Sequence, residues 1–159
     1  ELMTAERIVL LNRLRDFPAA LTALVGGLSE TERMAHPEGE WTVAQNVHHL
    51  ADAHMNGYVR IRLALTEDHP TIHIYKQAQW AELPDYATAD ISASLAILHA
   101  LHRRWLRLLE SLSEAQWART VFHPGRNGDV NIDGWLEIYA NHGEAHLKQI
   151  REALATVGK

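Results

Sequence analysis

The chain has no cysteine. That absence excludes disulfides, zinc ribbons and a cysteine nucleophile, and it fits a reducing, cytoplasmic setting. Long hydrophobic runs are also missing: no stretch approaches the roughly 20 residues of a membrane span. The segment Glu1 to Leu14 is charged and amphipathic, unlike a signal peptide. Basic residues are outnumbered 15 to 20, for a formal charge of −5. They form no block, since Arg13 with Arg15 and Arg103-Arg104 read as solvated helix faces. A nucleic-acid footprint is therefore absent, and no membrane partner is expected.

What the chain does have is histidine, 11 in 159 residues. That length suits one domain, residues 1–159, with a core large enough to fold alone. Four long helices are expected. The first runs from about Thr4 to Gly26, with Leu10, Leu14, Phe17, Leu21, Leu24 and Leu28 at helical steps. Pro18 falls inside it and should kink or divide it. The second opens at Thr42 with a capping box to Gln45 and continues to about Leu65. The third covers about Asp90 to Ser111, and the fourth about Asn131 to Leu154.

A short internal repeat accompanies them. Leu28-Ser29-Glu30-Thr31-Glu32 echoes Leu112-Ser113-Glu114-Ala115-Gln116, and each holds a capping box that should start a short extra helix. The repeat suggests two helical hairpins, each presenting histidine from its second long helix, around an internal metal site. Thr66 to Ala89 is long for a bundle connection yet carries Tyr75, Trp80 and Tyr86. It is expected to be ordered and to lie over one end of the bundle. Phe122 to Asp129 has the turn chemistry of a short hairpin.

On the fourth helix the apolar line passes through Trp135, Tyr139, His142, His146 and Ile150. Two imidazoles four residues apart share a helix face and can grip one metal ion if a third ligand arrives from elsewhere. On the second helix, Val43, Val47, Leu50, His54, Ile61 and Leu65 form one stripe, and Asn46, His49, Ala53 and Gly57 form another. Periodicity leaves His49 and His54 level as the third ligand, and it points His48 to the surface or an interface. Glu144 lies two residues after His142, so the His-Glu-x-x-His protease pattern is not met. Without cysteine, a deaminase site is also excluded. His99 and His102 read as solvated or packing residues, His36, His69 and His123 as loop residues outside the site, and His73 as a surface residue of the ordered loop, with reach to a substrate as the alternative. Asp52, three residues after His49, is a candidate to orient it.

Taken together, Trp41-Thr42-Val43-Ala44-Gln45-Asn46-Val47-His48-His49-Leu50-Ala51-Asp52-Ala53-His54-Met55-Asn56, Pro70-Thr71-Ile72 with Tyr75, Trp80-Ala81-Glu82-Leu83-Pro84-Asp85-Tyr86, Ala100-Leu101-His102-Arg103-Arg104-Trp105 and Tyr139-Ala140-Asn141-His142-Gly143 with His146 resemble the DinB/YfiT-like superfamily. The resemblance implies an all-α four-helix bundle, usually a homodimer, holding one divalent metal ion through His49, His142 and His146. Zinc or nickel is implied first, with iron or manganese as alternatives. It also implies a small-molecule substrate and a metal-dependent hydrolase or thiol S-transferase, with an external thiol such as bacillithiol as co-substrate. Arg60 and Arg126 are candidates to assist an anionic thiol; Tyr139 reads as core packing, with lining of the pocket as the alternative. The rival expectation is a non-catalytic, metal- or ligand-binding bundle.

Overall fold

The computed structural model describes residues 3–159. Four long helices dominate: α1 (Ala5–Val25), α3 (Val43–Thr66), α5 (Ser92–Leu109) and α7 (Ile132–Ala155). Their starts follow the sequence. Thr4 Oγ1 caps α1, Thr42 and Gln45 close a reciprocal capping box on α3, and Asn131 Oδ1 accepts from Gly134 N at α7. The short helices α2 (Glu30–Arg33) and α6 (Glu114–Trp117) carry the two expected boxes, Ser29 with Glu32 and Ser113 with Gln116. Among the described residues no helix is long and apolar enough to cross a membrane.

Two expectations are corrected. Pro18 does not divide α1, which runs unbroken through it, and the Leu14 carbonyl that it leaves without a helical donor accepts from His102 Nδ1 instead. The two expected hairpin pairs, α1 with α3 and α5 with α7, do not form either. Both α1 and α3 pack against α5 and α7, so α1 sits diagonally from α3, and α5 from α7. The arrangement makes α3 and α7, the two histidine-rich helices, direct neighbours.

The connection from α3 to α5 is ordered, with α4 (Gln77–Ala81) and a 3₁₀ turn over Pro84–Ala87. It runs beside α3 rather than lying over one end of the bundle, bonded to His48 by Thr88, to Asp52 by Tyr86, to His49 by Tyr75 and to Arg60 by His73. Strands β1 (Thr120–His123) and β2 (Gly128–Asn131) form the expected hairpin, with Thr120 opposite Asn131 and His123 opposite Gly128. Asn127 turns it at φ 48°, a left-handed conformation that asparagine tolerates. Phe122 N donates to Pro70 O, and Ile72 N to Phe122 O, which ties the long connection to β1.

The core has two apolar clusters. One contains Leu11, Leu14, Ile61, Trp105, Trp117, Trp135 and Tyr139; the other contains Phe17, Leu21, Val47, Leu50, Leu98, Leu147 and Ile150. On each long helix the break between them falls in the same layer: after Leu14, between Leu50 and Ile61, between Leu98 and Trp105, and between Tyr139 and Leu147. His54, His102, His142 and His146 occupy that layer.

Candidate metal centre

His49, His142 and His146 each offer a ring nitrogen, and these three atoms lie within 4.8 Å of one another. The backbone explains the convergence. His142 and His146 are one turn apart on α7, and the neighbouring α3 brings His49 in from the facing side.

Each of the three has its Nδ1 engaged by the protein. His146 Nδ1–H donates to Asn46 Oδ1 at 2.8 Å, and Asn46 Nδ2 donates to Thr42 O at 3.0 Å, which fixes the amide so that its oxygen faces the ring. His142 Nδ1 is 3.2 Å from His54 Nε2, and His49 Nδ1 is 3.3 Å from the Tyr75 hydroxyl. Nε2 is thus the nitrogen left for an ion. His49 Nε2 and His142 Nε2 are 3.2 Å apart. A tetrahedral ion with metal–nitrogen bonds near 2.0–2.1 Å separates two ligand atoms by about 3.3 Å. The donor set therefore fits a divalent metal, with neutral imidazoles as ligands and each outer nitrogen oriented.

The electrostatics agree. Burial holds the imidazoles in their neutral, ligating form: His49 falls to about 3, lowered further by His146 and His142, and His142 falls to about 3. His146 falls to about 4 through burial. Trp41 covers the group, its ring centroid 4.8 Å from that of His49 and 6.5 Å from that of His146. Tyr75 stacks on His49 at 6.0 Å, and desolvation lifts its phenol to about 12, so it remains a neutral hydroxyl.

A cavity of about 190 Å³ opens beside His142. Ala53, Arg60, Tyr75, Arg126 and Tyr139 are among the residues that line it. Arg60, 9% exposed, donates to Tyr139 Oη at 3.3 Å and to His73 O at 3.2 Å. Tyr139 is thus both a core residue and a wall of the cavity. The Tyr139 ring fills the space beside Gly57, where a built Cβ would lie 2.3 Å from it.

Among the other histidines, His48 departs from the sequence reading. His48 is buried, not at the surface, because the long connection covers that side of α3; it bonds Ser94 Oγ at 2.8 Å and Thr88 O at 3.0 Å. His102 is 1% exposed and bonds His54, a partner contributed by α3 that the sequence of α5 does not reveal. His99 is exposed and bonds Thr22. Asp52 does not orient His49; it accepts from the Tyr86 hydroxyl, and desolvation raises its carboxyl. His36, His69 and His73 are exposed, His123 stacks on Trp135, and none joins the trio; Glu144 is exposed. Asn46 is the site residue whose role was missed. It shares a stripe with His49, but only the packing of α7 on α3 shows that it holds His146.

Comparison with known proteins supports this reading. The family model described as the DinB superfamily matches residues 13–150. The chain is 40% identical over 146 residues to "Putative metal-dependent hydrolase YfiT" of Bacillus subtilis (strain 168), covering 91% of this chain and 82% of that one. It is 43% identical over 141 residues to another "Putative metal-dependent hydrolase", from Oceanobacillus iheyensis, covering 88% and 81%. The solved structure of YfiT from Bacillus subtilis, described as a probable metal-dependent hydrolase with an unusual four-helix bundle topology, superposes with a TM-score of 0.92 at 38% identity. That match covers 99% of this chain and 91% of that one. A mycothiol-dependent maleylpyruvate isomerase shares the fold at a TM-score of 0.71 and 17% identity, over 94% of this chain and 61% of its own. The family model over residues 13–150 and the 40% identity to YfiT make this chain a member of the DinB superfamily.

Proposed function

We propose that the chain is a metal-dependent enzyme in which His49, His142 and His146 hold a zinc or nickel ion. Its reaction joins a small electrophile to the sulfur of an external thiol or to the oxygen of water, with loss of the S–H or O–H proton and cleavage of the electrophile's bond to its leaving group. One observation carries the reading: three imidazoles, each tied down at Nδ1, face one point beside a cavity flanked by two arginines. A divalent ion held by three neutral imidazoles supplies Lewis acidity and lowers the pKa of a coordinated thiol or water.

The chain's own residues do the rest. Asn46, His54 and Tyr75 keep the three rings aimed. Trp41 and Tyr75 shield them from bulk water. Among the described residues neither Arg60 nor Arg126 is paired with a carboxylate. Their charges are free to hold an anionic substrate or a thiol bearing a carboxylate. With no cysteine in the chain, the sulfur of an S-transfer must come from a separate molecule.

The test is metal content of the wild type beside His146→Ala, followed by turnover of 1-chloro-2,4-dinitrobenzene with and without bacillithiol, and of an activated ester without thiol. About one ion per wild-type chain, largely lost in the variant, is expected for a three-ligand site. Turnover that requires the thiol selects S-transfer; ester cleavage without it selects hydrolysis. Equal metal in both proteins, or none after exposure to zinc, nickel and manganese, overturns the assignment.

A further inference from the structure

Pro18 has no N–H, so Leu14 C=O, four residues earlier in α1, has no helical donor. The structure supplies one from another helix: His102 Nδ1 lies 2.7 Å from that oxygen. A carbonyl can only accept, so the His102 proton is on Nδ1 and its Nε2 is the acceptor. His54 Nδ1 is 2.7 Å from His102 Nε2 and must donate to it. His54 Nε2 is then an acceptor in turn, 3.2 Å from His142 Nδ1. His142 therefore donates from Nδ1 and keeps a lone pair on Nε2, the atom that faces His49 at 3.2 Å.

From these contacts we infer that the carbonyl freed by Pro18 sets the tautomers of three successive imidazoles and so presents His142 Nε2 unprotonated to the metal position. His102 and His54 are positioning residues in this scheme. The metal end of the inference rests on the proposed function; the tautomer order does not. The surroundings suit such a device, because His54 and His102 are 0% and 1% exposed. Phe17 packs on both rings at 5.5 and 5.6 Å, and Trp105 meets both edge-on. No water is needed to satisfy either residue, since all four of their ring nitrogens already have partners. The chain of bonds also ends on a carbonyl, which neither gives nor takes a proton. It is thus built to fix a tautomer and not to conduct protons to solvent.

The test uses metal-free, ¹⁵N-histidine-labelled protein and long-range ¹H–¹⁵N correlation spectra. Nδ1–H at His102, His54 and His142 is expected; Nε2–H at His142 overturns the inference. In a chelator competition, His54→Leu removes the acceptor and should weaken zinc or nickel binding by roughly 10–100-fold. His54→Gln, whose amide oxygen can accept from His142, should recover most of that loss and keep the Nδ1–H signal. His54→Leu binding as tightly as wild type overturns the positioning role, as does a His54→Gln variant that is folded yet no better than His54→Leu. A wild type that shows all three Nδ1–H signals but binds no metal overturns the metal reading and leaves the tautomer order standing.

Discussion

The two halves of the chain follow one plan and end differently. Each has a long helix, a four-residue helix closed by a serine capping box, and a 24-residue helix bearing histidines. In the first half the short helix leads through a coil containing Trp41 into α3. In the second it leads through the β1–β2 hairpin, which brings Arg126 to the cavity. The first half contributes one histidine of the trio and the second contributes two. Because each half's helices are diagonal, α3 and α7 meet directly, and the repeat serves the site by crossing the halves rather than stacking them. The repeat thus lays out the scaffold, and the connections differentiate the chemistry.

The largest expected effect concerns charge in the shared histidine layer and on His49 beside it. In the metal-free protein His49, His102, His142 and His146 are held neutral, at about 3 to about 4, and His54 is lowered as well, each chiefly by desolvation. An unfolded chain takes these protons near pH 6.5. Between that pH and the folded values the unfolded state binds more protons, so stability falls as the pH drops. Each such histidine adds up to about 1.4 kcal/mol per pH unit to the slope. Urea unfolding at pH 7.5, 6.5 and 5.5 should show a steep loss. His49→Gln from the first half and His146→Gln from the second should each flatten it. An unchanged slope in one variant alone would mean that the two halves do not share the burial of this layer equally.

A smaller effect should come from two glycines that let the halves approach. On α3, a Cβ at Gly57 would lie 2.3 Å from the ring of Tyr139 on α7; on α7, a Cβ at Gly143 would lie 2.7 Å from the ring of Phe17 on α1. Both rings are buried, at 5% and 6% exposure, and have little room to retreat. Overpacking of this kind costs about 1–3 kcal/mol, more than the roughly 1 kcal/mol that alanine gains over glycine in a helix. Gly57→Ala should be the worse of the two, and it should also displace Tyr139 from Arg60. Gly27→Ala, with open space around it, should change stability by less than about 0.5 kcal/mol. Thermal melts of the three variants decide the order.

How much of this was legible in the sequence depends on how many sides of a helix are covered. On α7, with an exposed face, the line Trp135, Tyr139, His142, His146 and Ile150 marked the inward side correctly. On α3 the long connection covers the face that the bundle leaves open, and every residue from Val43 to Ala51 except Gln45 is buried. No stripe survives there to separate His48, His49 and His54. On α1 the pair Leu10-Leu11 made the register ambiguous: the buried line passes through Leu11 and Val25, with Leu10 and Leu24 only partly buried. The role of His102 depends on a carbonyl 88 positions away, and no local pattern encodes that. Pro18, which the sequence presents as a helix breaker, is tolerated because its cost is met from α5.

The smallest effect tests the repeat itself. In the first half Ser29 Oγ accepts from Glu32 N at 3.2 Å and the Glu32 carboxylate accepts from Ser29 N; in the second Ser113 Oγ accepts from Gln116 N at 3.3 Å and Gln116 Oε1 accepts from Ser113 N. Loss of a serine cap costs about 1 kcal/mol, and equal motifs would predict equal losses. The surroundings are not equal. Glu32 is ionised and also paired with Lys159 at 2.8 Å, and both contacts hold its carboxyl below the usual range. Gln116 is neutral, but its helix carries Glu114, which clamps the buried Arg7 together with Asp133 and so links α1, α6 and α7. Ser29→Ala should therefore fray α2 and loosen the Glu32–Lys159 pair with little effect elsewhere. Ser113→Ala should loosen the Arg7 clamp and cost the larger share. Hydrogen exchange would read the difference directly: faster exchange confined to α2 and its neighbours in the first variant, but extending into the first turns of α1 and α7 in the second. Equal, purely local fraying in both would show that the two joints still behave as copies of one motif.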